Sequence, residues 1–270
     1  MELWEAVVLG LIQGLTEFLP VSSSGHLVLA EHVLAADAGA NVTFEVFVHF
    51  GTALSIIVLY RQRIAGITTD FFKAIARPAT FSSQYRESEH VRTAVLIALT
   101  MVPTGIVYLT FKDYLESRFE DPVFVCYGLL ATGMLLLLTV LRRNPGGRLG
   151  PARALLMGCA QAVAMLPGVS RSGATICSAI YANTDAEEAA NFSFLMLLPV
   201  VVIATVIKGL ETFSATAEGV SWSVLVVGTL VSFGSGVVAI KALLGVVRRG
   251  KLAWFAVYCF LVGGIGLAVL

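Results

Sequence analysis

Glu17, Ser22, Ser23, Ser24 and His26 fall together in the stretch TEFLPVSSSGH, and residues 1–42 around them hold no Lys or Arg. A carboxylate, three hydroxyls and an imidazole can supply a base, a proton donor or a nucleophile, with Glu17 as the orienter of the ring or as a metal ligand. Glu17 is the only acid between Glu5 and Glu31, and Gln13 sits one helical turn earlier on the same face. A second stretch, LPGVSRSGATI at 166–176, carries Arg171, the only formal charge from Ala154 to Thr184. Its planar guanidinium suits a bidentate grip on phosphate oxygens. Each residue also has a plainer reading. Glu17 and Arg171 could simply pair with one another, serines cap helices everywhere, and a lone His near a helix start is more often a satisfied polar group.

The surroundings raise the stakes. Of 270 residues, 57% are hydrophobic and only 13% charged, about half the charge of an ordinary soluble domain. This is the composition of an integral membrane protein, in which an ionisable group at depth costs several kcal/mol unless it is paired or wet, so that function is the default reading. The net charge is zero and the basic residues are scattered, which indicates neither a nucleic-acid-binding face nor a polybasic tail. The four cysteines (Cys126, Cys159, Cys177, Cys259) lack metal or redox spacing and read as packing residues. The opening MELWEAVV has acids where a signal peptide has bases, so the first segment is expected to be retained.

Windows free of charge cover 46–60 (extended back through Thr43), 93–111, 123–141, 189–207, 219–240 and 252–270, each about the length of one membrane span. Two further apolar stretches, 3–36 and 154–184, are broken near their centres by PVSSSGH and PGVSRSG. Their arms reach only about 20–25 Å, which predicts re-entrant hairpins whose non-helical tips are tolerated only against protein or water. Bases concentrate in 61–92, 142–153 and 248–251, so these segments are expected on the cytoplasmic side. The crossings then close only with six spans plus two re-entrant hairpins and both termini outside.

At an offset of 148, Gln13 falls on Gln161, Val21 on Val169, Ser22 on Ser170, Ser24 on Ser172, Gly25 on Gly173 and Phe44 on Phe192. An odd number of spans separates the two units, about 1–115 and 150–270, so they form an inverted repeat within one membrane domain. Inverted repeats bring broken segments together near the midplane. The serine tip and the arginine tip are therefore expected to meet. Ser22, Ser24 and Gly25 open one helix and Ser170, Ser172, Gly173 and Thr175 open another, and paired helix N-termini beside Arg171 suit an anion. His49, one turn after Glu45, reads as a structural hydrogen bond, and His32 and His90 as peripheral. No HExxH, GxGxxG, Walker or G-x-S-x-G pattern occurs, so zinc peptidase, dinucleotide, P-loop and α/β-hydrolase chemistries find no support.

GLTEFLPVSSSGHL at 14–27 and LPGVSRSGATI at 166–176, with TFEV at 43–46 and NFSFLMLLPV at 191–200, resemble the segments of the undecaprenyl-diphosphate phosphatase (bacitracin-resistance protein) family. The resemblance runs over the whole chain. It implies a bacterial inner-membrane hydrolase that removes the terminal phosphate of a C55 polyprenyl diphosphate on the periplasmic side, recycling the lipid carrier of cell-wall synthesis. It further implies a divalent cation, Mg²⁺ or Ca²⁺, with Gln13 and Glu17 matching the family's acidic motif, His26 and Arg171 its critical His and Arg, and Ser23 its proposed nucleophile. The expected mechanism is attack by Ser23, with His26 moving the proton and Glu17 holding His26 or the cation. Attack by His26 or by metal-activated water are the alternatives. The rival class is a transporter or flippase of a polyprenyl phosphate lipid, whose architecture this also is, but a pure carrier has no need of His26 beside serines. Expected partners are the lipid substrate and membrane lipids, with no nucleic acid and with a homodimer as the candidate assembly.

Overall fold

A computed structural model describes residues 1–34, 38–119, 121–142, 146–214 and 221–270. Among them helices are the only regular secondary structure, apart from an isolated bridge between Gly147 and Thr184. The helices are α1 (Leu3–Phe18), α2 (Ser23–Leu34), α3 (Ala38–Ile75), α4 (Phe81–Glu87), α5 (Glu89–Phe119), α6 (Pro122–Leu138), α7 (Pro151–Val163), α8 (Arg171–Tyr181), α9 (Ala186–Ser214), α10 (Trp222–Arg248) and α11 (Trp254–Val269). Five of them are long and apolar enough to cross a membrane: α3, α5, α6 with the turn that follows it, α9 and α10. The sixth expected span is the 16-residue α11, about 24 Å long against a hydrocarbon core of about 30 Å.

Charge-free windows misplace helix ends because a charge stops burial, not helix formation. The window ending at Tyr60 continues through Arg61 to Ile75, with only a kink at Tyr60 (φ −107°, ψ 15°). The 33 residues from Thr43 to Ile75 make about 50 Å of helix, more than a bilayer core needs. Arg63 at its far end meets Glu89 of α5 at 3.1 Å, and His90 Nδ1 meets Asp70 at 2.7 Å.

Both predicted breaks are present, and their causes are local. At the first, Leu19 is extended before Pro20, the conformation proline imposes on its predecessor, and Ser22 has φ +69° before α2 starts. At the second, Gly168 has φ +83°, and a Cβ there would lie 2.1 Å from the Val125 carbonyl oxygen of α6. Only glycine meets both conditions. Thr132 of α6 then holds this tip by accepting from Ser170 N at 2.9 Å and donating to Gly168 O at 3.1 Å.

The arms of each broken unit pack on one another, α1 on α2 and α7 on α8, but each first arm finds its larger surface in the other half of the chain. Helix α1 lies on α10, where a Cβ on Gly14 would fall 2.4 Å from Ser232 O. Helix α7 lies on α5, where a Cβ on Gly158 would fall 2.8 Å from Thr100 O. Small residues let backbones approach closely, which drives helix association where water supplies no hydrophobic force. Between them Phe18 of α1 packs edge-on against Phe194 of α9, centroids 5.6 Å apart, in a core with Met157, Ile176 and Met196. Cys126, Cys177 and Cys259 are buried as expected, whereas Cys159 is exposed on α7.

Candidate active site

Four elements bring the site together: the last two turns of α1 supply Gln13 and Glu17, the start of α2 supplies Ser23 and His26, the start of α8 supplies Arg171, and α3 supplies His49. Glu17 is 7% exposed, and its carboxylate is the hub. Oε2 accepts from Ser23 Oγ at 2.5 Å and from Gln13 Nε2 at 3.0 Å, while Oε1 accepts from Arg171 Nη2. The two tips therefore meet as the repeat predicts, 154 positions apart in the chain. The plainer reading, an ion pair between Glu17 and Arg171, is also present. It leaves the guanidinium half used, because Arg171 Nη1 is buried and has no hydrogen-bond partner among the described residues. A buried unpaired donor of that kind calls for an occupant.

A cavity of ≈50 Å³ lies between the tips, lined by Glu17, Ser22, Ser23, Ser24, Ser170 and Arg171 among others. The remaining residues of the expected phosphate-binding set sit outside it. Gly25 N and Gly173 N are each taken by a serine three residues earlier, Ser22 Oγ at 3.3 Å and Ser170 Oγ at 3.1 Å. These two amide groups cap their own helices and are not free for an anion. Ser172 Oγ donates to Leu19 O at 3.2 Å and so ties one tip to the other. Thr175 is fully buried and bonds Arg171 O at 2.8 Å and Ser193 Oγ at 2.7 Å. Ser22, Ser23, Ser24 and Ser170 line the cavity, whereas the Ser172 and Thr175 hydroxyls bond to protein.

His26 is oriented differently from expectation. Its Nδ1 lies 2.8 Å from Ser22 O and its Nε2 2.8 Å from the Tyr258 hydroxyl. Among the described residues Glu17 does not hold it, because helix α2 turns the ring back over its own first turn while Ser23 takes the Glu17 contact. Glu17 and Ser23, not His26 and Ser23, form the hydrogen-bonded pair.

Three groups escape a reading by charge alone. His49 Nε2 lies 3.9 Å from Glu17 Oε2, while its Nδ1 meets Glu45 O, not the Glu45 carboxylate, at 2.8 Å. Thr132 and Tyr258 lie in the charge-free windows 123–141 and 252–270, where a hydroxyl among apolar residues was the only available signal.

For a divalent cation, the described residues hold no cluster of three or more His, Cys, Asp or Glu. They do hold Gln13 Oε1, buried and without a partner, one turn from Glu17. Two protein oxygens, completed by phosphate and water, make a donor set that Mg²⁺ accepts.

A helical membrane protein in which two broken helices join an acid, a hydroxyl and an arginine is, by class, a multi-pass membrane protein with a polar site between its helices. The sequence profile of the family described as bacitracin resistance protein BacA matches residues 6–265, and the chain belongs to that family. It is 50% identical to an undecaprenyl-diphosphatase of Salinibacter ruber over the whole of both chains. It is 40% identical to one of Syntrophotalea carbinolica (100% of this chain, 99% of the relative) and 38% identical to one of Christiangramia forsetii (97% and 96%).

Proposed function

We propose that this chain is a phosphatase that hydrolyses undecaprenyl diphosphate to undecaprenyl phosphate and inorganic phosphate. The observation that carries the reading is the Glu17 carboxylate, shared between the Ser23 hydroxyl at 2.5 Å and the Arg171 guanidinium at the edge of a hydroxyl-lined cavity. Ser23 Oγ attacks the terminal phosphorus and its proton passes to Glu17, a base already within hydrogen-bond reach. The bond from phosphorus to the bridging oxygen breaks, and undecaprenyl phosphate departs. Arg171 stays charged throughout and turns its unpaired Nη1 to the phosphoryl oxygens, where charge accumulates in the transition state. Water then hydrolyses the phosphoserine: its oxygen bonds phosphorus as the bond to Ser23 Oγ breaks, Glu17 returns the proton to Ser23, and the protons of the water leave on the released phosphate. Gln13 Oε1 and Glu17 would hold a divalent cation, Mg²⁺ or Ca²⁺. When bound, it offsets negative charge on the transferred group.

The same reading sets six crossings and two re-entrant hairpins in an inverted repeat, in an inner membrane with the site opening toward the periplasm. Three observations support it. Bases cluster at alternate loops. α1 rests on α10 as α7 rests on α5. Each tip carries the same serine-to-glycine cap, Ser22 to Gly25 and Ser170 to Gly173.

Purified protein in detergent, given undecaprenyl diphosphate, should release phosphate and should yield an acid-stable phosphoserine at Ser23 on rapid quenching. Transport needs a sealed membrane and hydrolysis does not, so absence of phosphate release with folded protein would favour a carrier. A phosphohistidine at His26, or turnover by Ser23→Ala, would overturn the assignment of the nucleophile.

A further inference from the structure

Ser22, at the first tip, stands at φ +69°, in the left-handed region, where the only other non-glycine among the described residues is Asn183. Asparagine tolerates that region through local hydrogen bonds, whereas serine stays there only when its surroundings hold it. The hold is on its carbonyl oxygen, which accepts the first backbone bond of α2 from His26 N at 3.2 Å and a second bond from His26 Nδ1 at 2.8 Å. A carbonyl can only accept, so Nδ1 carries a hydrogen, and in the neutral ring the Tyr258 hydroxyl donates to Nε2 at 2.8 Å. Both nitrogens of His26 are spent, and neither His26 nor Tyr258 lines the cavity at Ser23. The other carbonyls of the tip are gripped in the same way. Leu19 O accepts from Ser172 Oγ of α8 at 3.2 Å, and Pro20 O lies 3.7 Å from Cys259 Sγ of α11. Carbonyls outside a helix at membrane depth need such partners. Tyr258 and Cys259 are neighbours on α11, so the last helix backs the tip at two points.

We propose that His26 is a positioning residue and carries no proton in the reaction: its Nδ1–H straps the Ser22 carbonyl and so fixes the left-handed turn from which Ser23 sets its hydroxyl on Glu17. The peptide unit is planar, so a grip on the Ser22 carbonyl orients the whole plane that ends at the Ser23 Cα. That plane decides the direction in which the Ser23 side chain leaves the backbone, and its Oγ arrives 2.5 Å from Glu17 Oε2. A residue off the cavity thereby aims one that lines it. The stacked ring of Tyr258, inclined by only 8° to the imidazole, keeps the strap from swinging away. This rests on the reading of Ser23 as nucleophile and goes beyond it by giving His26 a role without proton transfer.

Two amide replacements tell the nitrogens apart, and neither titrates. In His26→Asn the side-chain amide stands where Nδ1 stood, and in His26→Gln it reaches the place of Nε2. In full-length detergent-solubilised protein turning over undecaprenyl diphosphate, His26→Asn should keep kcat within about fivefold of wild type. His26→Ala and His26→Gln should lose about 10- to 100-fold in kcat with KM within about threefold, the scale of a misplaced reacting group. Rapid quenching of His26→Ala should show slower formation of phosphoserine and no accumulation above the wild-type level, because attack is the step that misplacement slows. A loss in His26→Asn equal to that in His26→Ala would overturn the proposal, since it would show that the imidazole itself is required and a donor to Ser22 does not suffice. Accumulation of phosphoserine in His26→Ala would overturn it as well, by placing His26 in the hydrolysis of that intermediate. Turnover by Ser23→Ala would instead remove the nucleophile on which the proposal rests, whatever the His26 variants do.

Discussion

Replacing Arg171 by lysine separates two duties that one guanidinium performs. In the resting site Nη2 is bonded to Glu17 Oε1 and Nη1 is buried with no partner among the described residues, so on the proposed function the planar fork has one arm for the protein and one for the substrate. A lysine ammonium carries the same charge as a point, on a chain that cannot span both directions at once. Arg171→Lys should therefore keep the neutralisation of Glu17 and lose one charge-assisted hydrogen bond to the phosphoryl group. Such a bond is worth about 1.5–3 kcal/mol, so kcat/KM should drop about 10- to 150-fold. Arg171→Ala goes further, leaving Glu17 buried at 7% exposure without its counter-charge, a loss of about 3–5 kcal/mol in comparable buried pairs. It should lower the melting temperature in detergent as well as abolish turnover. The assay is phosphate release against undecaprenyl diphosphate concentration for both variants, with thermal unfolding in the same detergent. An Arg171→Lys enzyme with wild-type kcat/KM would refute the division of labour, because it would show that charge alone, without the fork, supports the reaction.

Glu17→Gln preserves shape but removes the base that receives the Ser23 proton, so kcat should fall about 10²- to 10⁴-fold in phosphate release; a smaller loss would assign the proton elsewhere. Gly168→Ala puts a side chain on a residue at φ +83°, 2.1 Å from Val125 O. Backbone strain alone costs about 1–3 kcal/mol, and the expected result is a lower melting temperature with reduced yield of folded protein. Thr132→Val deletes the hydroxyl that bonds Ser170 N at 2.9 Å and Gly168 O at 3.1 Å. Leaving those backbone groups unpaired costs about 1–3 kcal/mol, and since they shape the tip that carries Arg171, KM should rise together with the loss of stability.

Much of the site is legible in one dimension because the membrane filters the alphabet. Where most residues must be apolar, Glu17 and Arg171 stand out by type alone, and proline, glycine and serine mark the helix breaks through backbone geometry that needs no partner. Other features could not be read that way. Thr175 follows the Arg171 tip as closely as a phosphate ligand would, yet the angle of α8 turns it to Ser193. His49 looked paired to the Glu45 side chain by spacing, yet the Nδ1 contact goes to the Glu45 carbonyl and the packing of α3 brings Nε2 toward Glu17.

By itself, then, the sequence determined the membrane class, the two broken units and the residues that meet at their tips, because hydropathy, backbone conformational limits and the cost of buried charge all act locally along the chain. Only the tertiary structure decided the wiring. Ser23 is bonded to Glu17, His26 is held by a tyrosine from the last helix, and one arm of Arg171 is left open, because hydrogen-bond partners are chosen by which helix faces come together in space. No periodicity or spacing carries the angle at which α8 and α11 approach the first tip.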